Sequence, residues 1–432
     1  MFPNVVQPLP VSAATSVLSP HTWPFSLDWL PQTAYLVGGN VRDALLGRQA
    51  EYLDLDFVLP DSTVAVAKGI ANHYQAGFVL LDAERQIARV VFERATVDFA
   101  QQVGGSLAKD LYHRDFTVNA IAYNPHTQEL LDPLQGYADL QRRLIRMVAI
   151  ENLKEDPLRL LRAYRQAAQL GFQIDPQTRT AIQQLAGLLQ TVAAERVQAE
   201  LSYLLSTATG TQFLQLAWED GLLKTWLPQT TAQALAQATR IDPSAKQLTS
   251  LQTGLDLSGW LRDQPRMSGT GRSWLKVAKL ACLLANDPAT AEAALWNLKY
   301  SRVEIQAVLA VIAALPKLET LALSGARAET TEQYQLFRQV GTAFPALAVL
   351  GVAVGVPLLT VDGLVKRYLT PTDPVAHPTP LVTGRDLMRQ LGLPPSPVIG
   401  HILETLQLAH AEGKIDSAQT ALAYARTLVS QT

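Results

Sequence analysis

Short β-branched runs recur from Tyr35 to about Val148 and then stop, and this break constrains the fold more than any other feature of the 432-residue chain. The runs YLVGG, LDFVLP, FVLLDA, ARVVFE and ATVDFA alternate with helical stretches at Val41–Leu46 and Ser62–His73. After Glu151 the strand signals end. Leu158–Leu170, Pro176–Leu189, Ala193–Leu205 and Trp274–Leu284 then read as amphipathic helices. Strands confined to one end predict an α+β chain, with an α/β head built on a mixed sheet and an all-helical remainder. The length exceeds one compact core, so several domains are expected. The divisions read as an arm over 1–25, a head over 26–148, and helical segments over 149–210, 211–325 and 326–432. Weak breaks fall near Pro228, at Ser268–Thr270 and in the proline-rich stretch Thr370–Pro380.

Composition narrows the function classes. A net charge of −2 gives no global field for a polyanion, so any nucleic-acid surface must be a local patch. Cys282 is the only cysteine, which excludes a disulfide framework or a cysteine zinc site and fits the reducing cytoplasm. Met1–Pro20 carries no basic n-region and reads as a loose arm, not a secretory signal. Gln339–Val361 is uncharged, but its prolines and glycines favour a buried helix of an α domain over a membrane span.

The polar motifs cluster in the first half. In DLDF, Asp54 and Asp56 are two apart, so a strand over Leu53–Leu59 projects both carboxylates from one face. Asp98, in the strand ATVDFA, offers a third. Like charges packed together repel unless a cation sits among them, and hard oxygen ligands beside triphosphate oxygens suit Mg²⁺. A lone DxD reads more readily as a strand end or turn with solvated carboxylates, and the neighbouring motifs turn the reading toward metal. Gly38 and Gly39 follow an apolar strand and precede a helix, which allows close backbone approach to a phosphate. Arg42 can pair with phosphate oxygens as a planar fork, with Asp43 capping the helix or orienting it. In HRDFTVNA, Arg114 is a second phosphate ligand, and Asp115 and Asn119 address the sugar or brace the site. Asp156 and Arg159 are three apart at a helix start. Cytosine and adenine each present an amino donor beside a ring-nitrogen acceptor, which a carboxylate and a guanidinium can read together. A surface ion pair is the plain alternative. Arg142, Arg143, Arg146, Arg162 and Arg165 form the richest basic stretch, where an RNA backbone would lie.

With these motifs the sequence resembles the class II tRNA nucleotidyltransferases, the CCA-adding enzymes and their poly(A) polymerase relatives. The likeness is specific from Tyr35 to about Leu205, including ERVQAEL at Glu195–Leu201, and weaker onward to LVTGRDLMRQLGLPPSPVIGHIL. It implies a head, neck, body and tail, with Asp54 and Asp56 binding catalytic metal, and Gly38, Gly39, Arg42 and Arg114 holding triphosphate. It also implies that Glu155, Asp156 and Arg159 select CTP and ATP with no nucleic-acid template, at the 3′ end of tRNA. Two departures stand out. His113 replaces a further arginine, and only Phe99–His113 separates Asp98 from Arg114. Relatives that finish with AMP carry a longer flexible segment there, so the short interval resembles the CC-adding subtype, with a separate A-adding enzyme acting in series. The remaining alternatives are a full CCA-adding enzyme, a poly(A) polymerase and a non-catalytic RNA-binding protein.

Overall fold

The structure, a computed structural model, describes residues 6–7, 17–48, 52–251, 273–284, 287–324 and 329–429. The chain divides into two compact units, Met1–Glu200 with Leu216–Thr225, and Leu201–Gln215 with Trp226–Thr432.

The first unit carries a mixed sheet of eight strands: β1 (Val6–Gln7), β2 (Tyr35–Val37), β3 (Leu53–Leu59), β4 (Gly77–Asp82), β5 (Ile87–Val91), β6 (Ala95–Gln101), β7 (Ala122–Asn124) and β8 (Glu129–Leu131). Their order is β1-β8-β7-β2-β3-β6-β5-β4, and only the β3–β6 pair is parallel. Alternation along β3 and β6 sorts the side chains. Leu55, Phe57, Leu59, Val97 and Phe99 are fully buried on one face, which leaves the three aspartates on the other. Phe57 stacks on Phe99 at 5.6 Å between ring centres, and Trp23 meets Phe57 edge-on at 5.2 Å. This aromatic layer sets the strand faces, because a one-residue slip would bury the carboxylates.

The aromatic layer also corrects the expected arm over 1–25. Leu18, Trp23 and Phe25 are buried, and the Trp23 indole donates to the Val17 carbonyl at 2.8 Å. Large apolar groups beside an apolar sheet face gain by covering it, so the chain is packed from Val17 onward. Residues 1–5 and 8–16 of that arm lie outside the described residues.

The helices of this unit include α1 (Gly39–Leu45), α2 (Thr63–Tyr74), α3 (Leu107–Tyr112), α4 (Gly136–Arg142), α5 (Ile150–Glu155), α6 (Leu158–Leu170), α7 (Pro176–Leu185) and the part of α8 (Ala194–Ser206) up to Glu200. Helix α2 buries Thr63, Ala67, Ile70 and Ala71, one stripe at helical spacing, against β5 and β6. Helix α6 ends where Gly171 takes a left-handed conformation, φ +71°. Pro176 and the Asp175 carboxylate, which accepts the Thr178 N–H, then start α7. One strand signal was too short to read after Glu151: Gln173–Ile174 pairs in parallel with Leu144–Ile145.

The described part of the second unit is helical. Phe344–Val354 is buried at every residue from Phe344 to Gly351, the core helix expected of the uncharged stretch. Arg302–Leu323 and Thr330–Val354 are long and apolar enough to cross a membrane by composition alone, and 67% of the apolar window of the second is buried. Near the C-terminus Val382, Leu387, Ile399, Ile402, Leu406, Ala421 and Ala425 close a separate small core. Thr383 and Asp386 cap its first helix reciprocally. The weak break at Ser268–Thr270 lies outside the described residues.

Candidate active site

The β3–β6 register places Asp54 opposite Thr96 and Asp56 opposite Asp98. The Thr96 hydroxyl donates to Asp54 Oδ1, and the Asn40 side-chain amide donates to the Asp54 carbonyl. Asp56 sits between its two acidic neighbours. Burial first, then the charges of Asp54 and Asp98, push its carboxyl up to about 7, against the smaller opposing pull of Arg114 and Arg89. A carboxyl raised in this way is one that a hard cation would ionise, so Asp54 and Asp56 fit a divalent metal. Asp98 differs from the three-carboxylate expectation. Arg89, across from it on β5, donates Nε and Nη2 to its two oxygens at 2.7 Å each. Among the described residues no three His, Cys, Asp or Glu side chains gather as a metal group.

Beside the carboxylates, β2 turns into α1 through Gly38 at φ +77°. A Cβ there would lie 3.6 Å from Arg114 Nη1 and 3.7 Å from Asp56 Oδ2, so the bare glycine backbone faces both groups. Helix α1 has only seven residues, so the anion-binding character of this corner rests chiefly on the arginines. Arg42 is 6% exposed and held from two sides. It forks onto Asp43 with both bonds at 2.9 Å and donates Nη1 to Asn119 Oδ1 at 2.8 Å.

Asn119 passes the connection on to Asp115 at 2.8 Å. Asp115 also accepts from the Phe116 N–H, Arg162 Nε and Gln166 Nε2. Burial favours its neutral form, but Arg162 and the hydrogen bonds outweigh that and hold its carboxyl below the ordinary range. Asp115 and Asn119 thereby join the glycine turn to α6. Arg114 is held by Asp110 one turn earlier, at 2.8 Å from Nη2 and 3.2 Å from Nε.

The expected pair on α6 is arranged differently from an i,i+3 ion pair. Asp156 precedes the helix in extended backbone, φ −128° and ψ 92°. Its carboxylate takes two bonds from Arg196 of α8, at 2.9 and 3.1 Å. Arg159 instead donates Nη1 to the carbonyls of His113 at 2.8 Å and Asn152 at 3.2 Å. Each is fixed separately, and both line a cavity of about 530 Å³.

That cavity brings together Gly38, Gly39, Arg42, Asp43, Asp54, Asp56, Arg114, Asp115 and Asn119 from the sheet side, and Asp156, Arg159, Arg162 and Arg165 from the helical side. Glu155 faces elsewhere. It lines a neighbouring cavity of about 550 Å³ whose wall includes Arg114 and Arg159, with its carboxylate 3.8 Å from the His113 ring. The arginine stretch is likewise not a free basic surface. Arg146 pairs with fully buried Asp139, Arg162 with Asp115 and Arg165 with Glu200, whereas Arg142 and Arg143 are exposed at the end of α4. Sequence reasoning missed Thr96, Asn40, Arg89, Asp110, Gln166 and Arg196. Arg196 carried a signal as part of ERVQAEL, and Asn40 as part of LVGGNVRD at Leu36–Asp43.

Comparisons with known proteins match this layout. Residues 34–102 and 100–146 fit the poly(A) polymerase head domain family, 171–233 the RNA- and SrmB-binding site family of polymerase A, and 272–425 the second domain of tRNA nucleotidyltransferases. The chain is 47% identical over 408 residues to the CC-adding tRNA nucleotidyltransferase of Synechocystis sp., covering 94% of this chain and 96% of that protein. It is 30% identical to the A-adding tRNA nucleotidyltransferase of Deinococcus radiodurans, covering 93% and 97%. The Thermotoga maritima CCA-adding enzyme complexed with tRNA shares the fold, with a TM-score of 0.69, 22% identity and coverage of 92% and 91%.

Proposed function

The chain belongs to the class II tRNA nucleotidyltransferases, and from that premise we propose that it transfers two CMP units from CTP to the 3′ end of tRNA and leaves the terminal AMP to a separate enzyme. One observation carries the choice of subtype. Every residue of Phe99–His113 belongs to β6, the single turn Val103–Gly105, helix α3 or their caps. A segment so short and so taken up by regular structure is a poor lever for reshaping a nucleotide pocket between a cytosine and the larger adenine. The 47% identity to a CC-adding relative supports the same reading. Full CCA addition is the second reading, favoured by 30% identity to the CCA-adding enzyme of Latilactobacillus sakei over 87% of this chain and 88% of that protein.

In this reading Asp54 and Asp56 would hold Mg²⁺, which supplies positive charge to the attacking and leaving oxygens of an in-line displacement. Thr96 and Asn40 fix Asp54 for that role. Gly38 and Gly39 admit the triphosphate to the backbone, where Arg114 offers Nη1 and Arg42 adds buried positive charge. At the far wall, Asp156 accepts from the cytosine amine while Arg159 donates to the ring nitrogen, and uracil and guanine, of reversed polarity, are refused. Arg196 keeps Asp156 aimed through its two bonds, and Asp115 and Asn119 hold the two walls in register.

The helical segments 149–210, 211–325 and 326–432 act as neck, body and tail. The neck selects the nucleotide and the tail grips the RNA, with Arg142 and Arg143 as exposed phosphate contacts on the head. A cytoplasmic site of action fits the tRNA and nucleotide substrates of this reading. Incubation of tRNA lacking its CCA with single nucleotides and Mg²⁺ tests the proposal. CTP alone should add two residues, whereas ATP, UTP or GTP alone should add none. Addition from UTP or GTP as readily as from CTP, or a terminal adenosine when CTP and ATP are supplied together, would overturn it.

A further inference from the structure

One buried carboxylate outside the motifs touches both the short interval and the phosphate arginine. Asp110 is 4% exposed, on α3. Its Oδ2 accepts Arg114 Nη2 at 2.8 Å and Nε at 3.2 Å, and its Oδ1 accepts the Val103 N–H at 3.1 Å. These bonds occupy one whole edge of the guanidinium. The atom left over is Nη1, the one that faces the bare flank of Gly38 beside Asp56.

A guanidinium is planar, so a partner on the Nε–Nη2 edge sets the direction of the opposite corner. Arg114 keeps 26% of its side chain exposed, and Asp54 and Asp56 lie close by as competing partners. Released from Asp110, it would be drawn onto those carboxylates. The Val103 bond adds a second constraint. Val103 opens the turn whose Gly104 and Gly105 both take positive φ, +66° and +74°. The turn is pressed against α3, since a Cβ on Gly104 would meet Lys109 at 2.9 Å. Turn, carboxylate and arginine therefore form one strut.

We infer that Asp110 is a positioning residue for CTP: it holds Arg114 with Nη1 directed at the triphosphate and ties that direction to the turn that closes the short interval after Asp98. This rests on the reading of Arg114 as a triphosphate ligand, and the test separates the two. CTP affinity is measured by calorimetry on the whole protein, together with KM for CTP and for tRNA, in a cycle of Asp110→Asn and Arg114→Ala. Asn keeps an acceptor for the Val103 N–H but removes the charge and turns the Arg114-facing oxygen into an amide donor, so the arginine loses its anchor. In the parent, Asp110→Asn should weaken CTP binding about tenfold and leave KM for tRNA unchanged. In the Arg114→Ala background it should change CTP binding less than about twofold. Should Asp110→Asn not fold, Asp110→Glu, which keeps the buried charge and shifts it by one methylene, is taken through the same cycle with the same non-additivity expected. If Arg114→Ala alone leaves CTP binding intact, the triphosphate reading falls. If Arg114→Ala weakens binding but the Asp110 change has no effect, or has the same effect in both backgrounds, the positioning role falls and that reading stands.

Discussion

Arg89 and Asp98 face each other across β5 and β6 and share a two-bond ion pair, 2.7 Å at each contact. Asp56 lies on the same rung of the sheet and has no such partner among the described residues. The carboxylates are therefore unequal. Asp54→Ala or Asp56→Ala should lower transfer by at least about 10³-fold with the fold intact, whereas Asp98→Asn should cost clearly less. Steady-state kinetics at saturating Mg²⁺ checks the order, and an Asp98→Asn loss equal to that of Asp56→Ala would place three carboxylates on the metal.

The crowding of Asp56 has a pH signature in metal-free protein. Its folded carboxyl is raised to about 7 from an ordinary 3.8, so the native state holds more protons than the unfolded chain between those values. This group's contribution to stability is therefore fully present below about pH 4 and is lost as pH rises toward 7. Across that window the thermal midpoint of the parent should fall relative to Asp56→Asn. Parallel curves for the two proteins would show that the crowding is relieved in solution.

Base choice should depend on three residues. Asp156→Ala with Arg159→Ala should reduce rejection of UTP and GTP, each lost contact costing on the order of 1–3 kcal/mol of discrimination. Because Arg196 grips Asp156 at 2.9 and 3.1 Å, Arg196→Met should show a weaker version of the same defect. Misincorporation assays with the four nucleotides measure both, and unchanged selectivity in the double variant would remove the protein template.

The β-sheet and the shared face of Asp54 and Asp56 were legible because both follow from a two-residue period within one strand. The partners of those residues were not. Arg89 reaches Asp98 only through the register of β5 on β6, and Arg196 reaches Asp156 across forty residues. Glu155 and Asp156 are adjacent in sequence yet line different cavities, because α5 ends at Glu155 and the backbone at Asp156 is extended. The arginine stretch misled for the same reason. Its counter-charges, Asp139, Asp115 and Glu200, come from other elements, and buried carboxylates claim the nearest guanidinium.

That redistribution sharpens the expectation for RNA. Arg142→Ala with Arg143→Ala should flatten the salt dependence of tRNA binding by roughly one to two units of log–log slope. Arg146→Ala should instead lower the thermal midpoint, since it strands Asp139 as a buried charge. Filter binding from low to high salt measures the slope, and no change in the double variant would move the phosphate contacts to the helical segments after Pro380.

The subtype rests on the ordered interval Phe99–His113, and product length reads it directly. The protein is incubated with CTP, ATP and Mg²⁺ on tRNA ending at its discriminator base, and products are resolved to one nucleotide. Extension should stop after two cytidylates, and the stalled product should accept adenosine when an A-adding enzyme is supplied. A product three nucleotides longer, ending in adenosine, made by this protein alone would contradict the account.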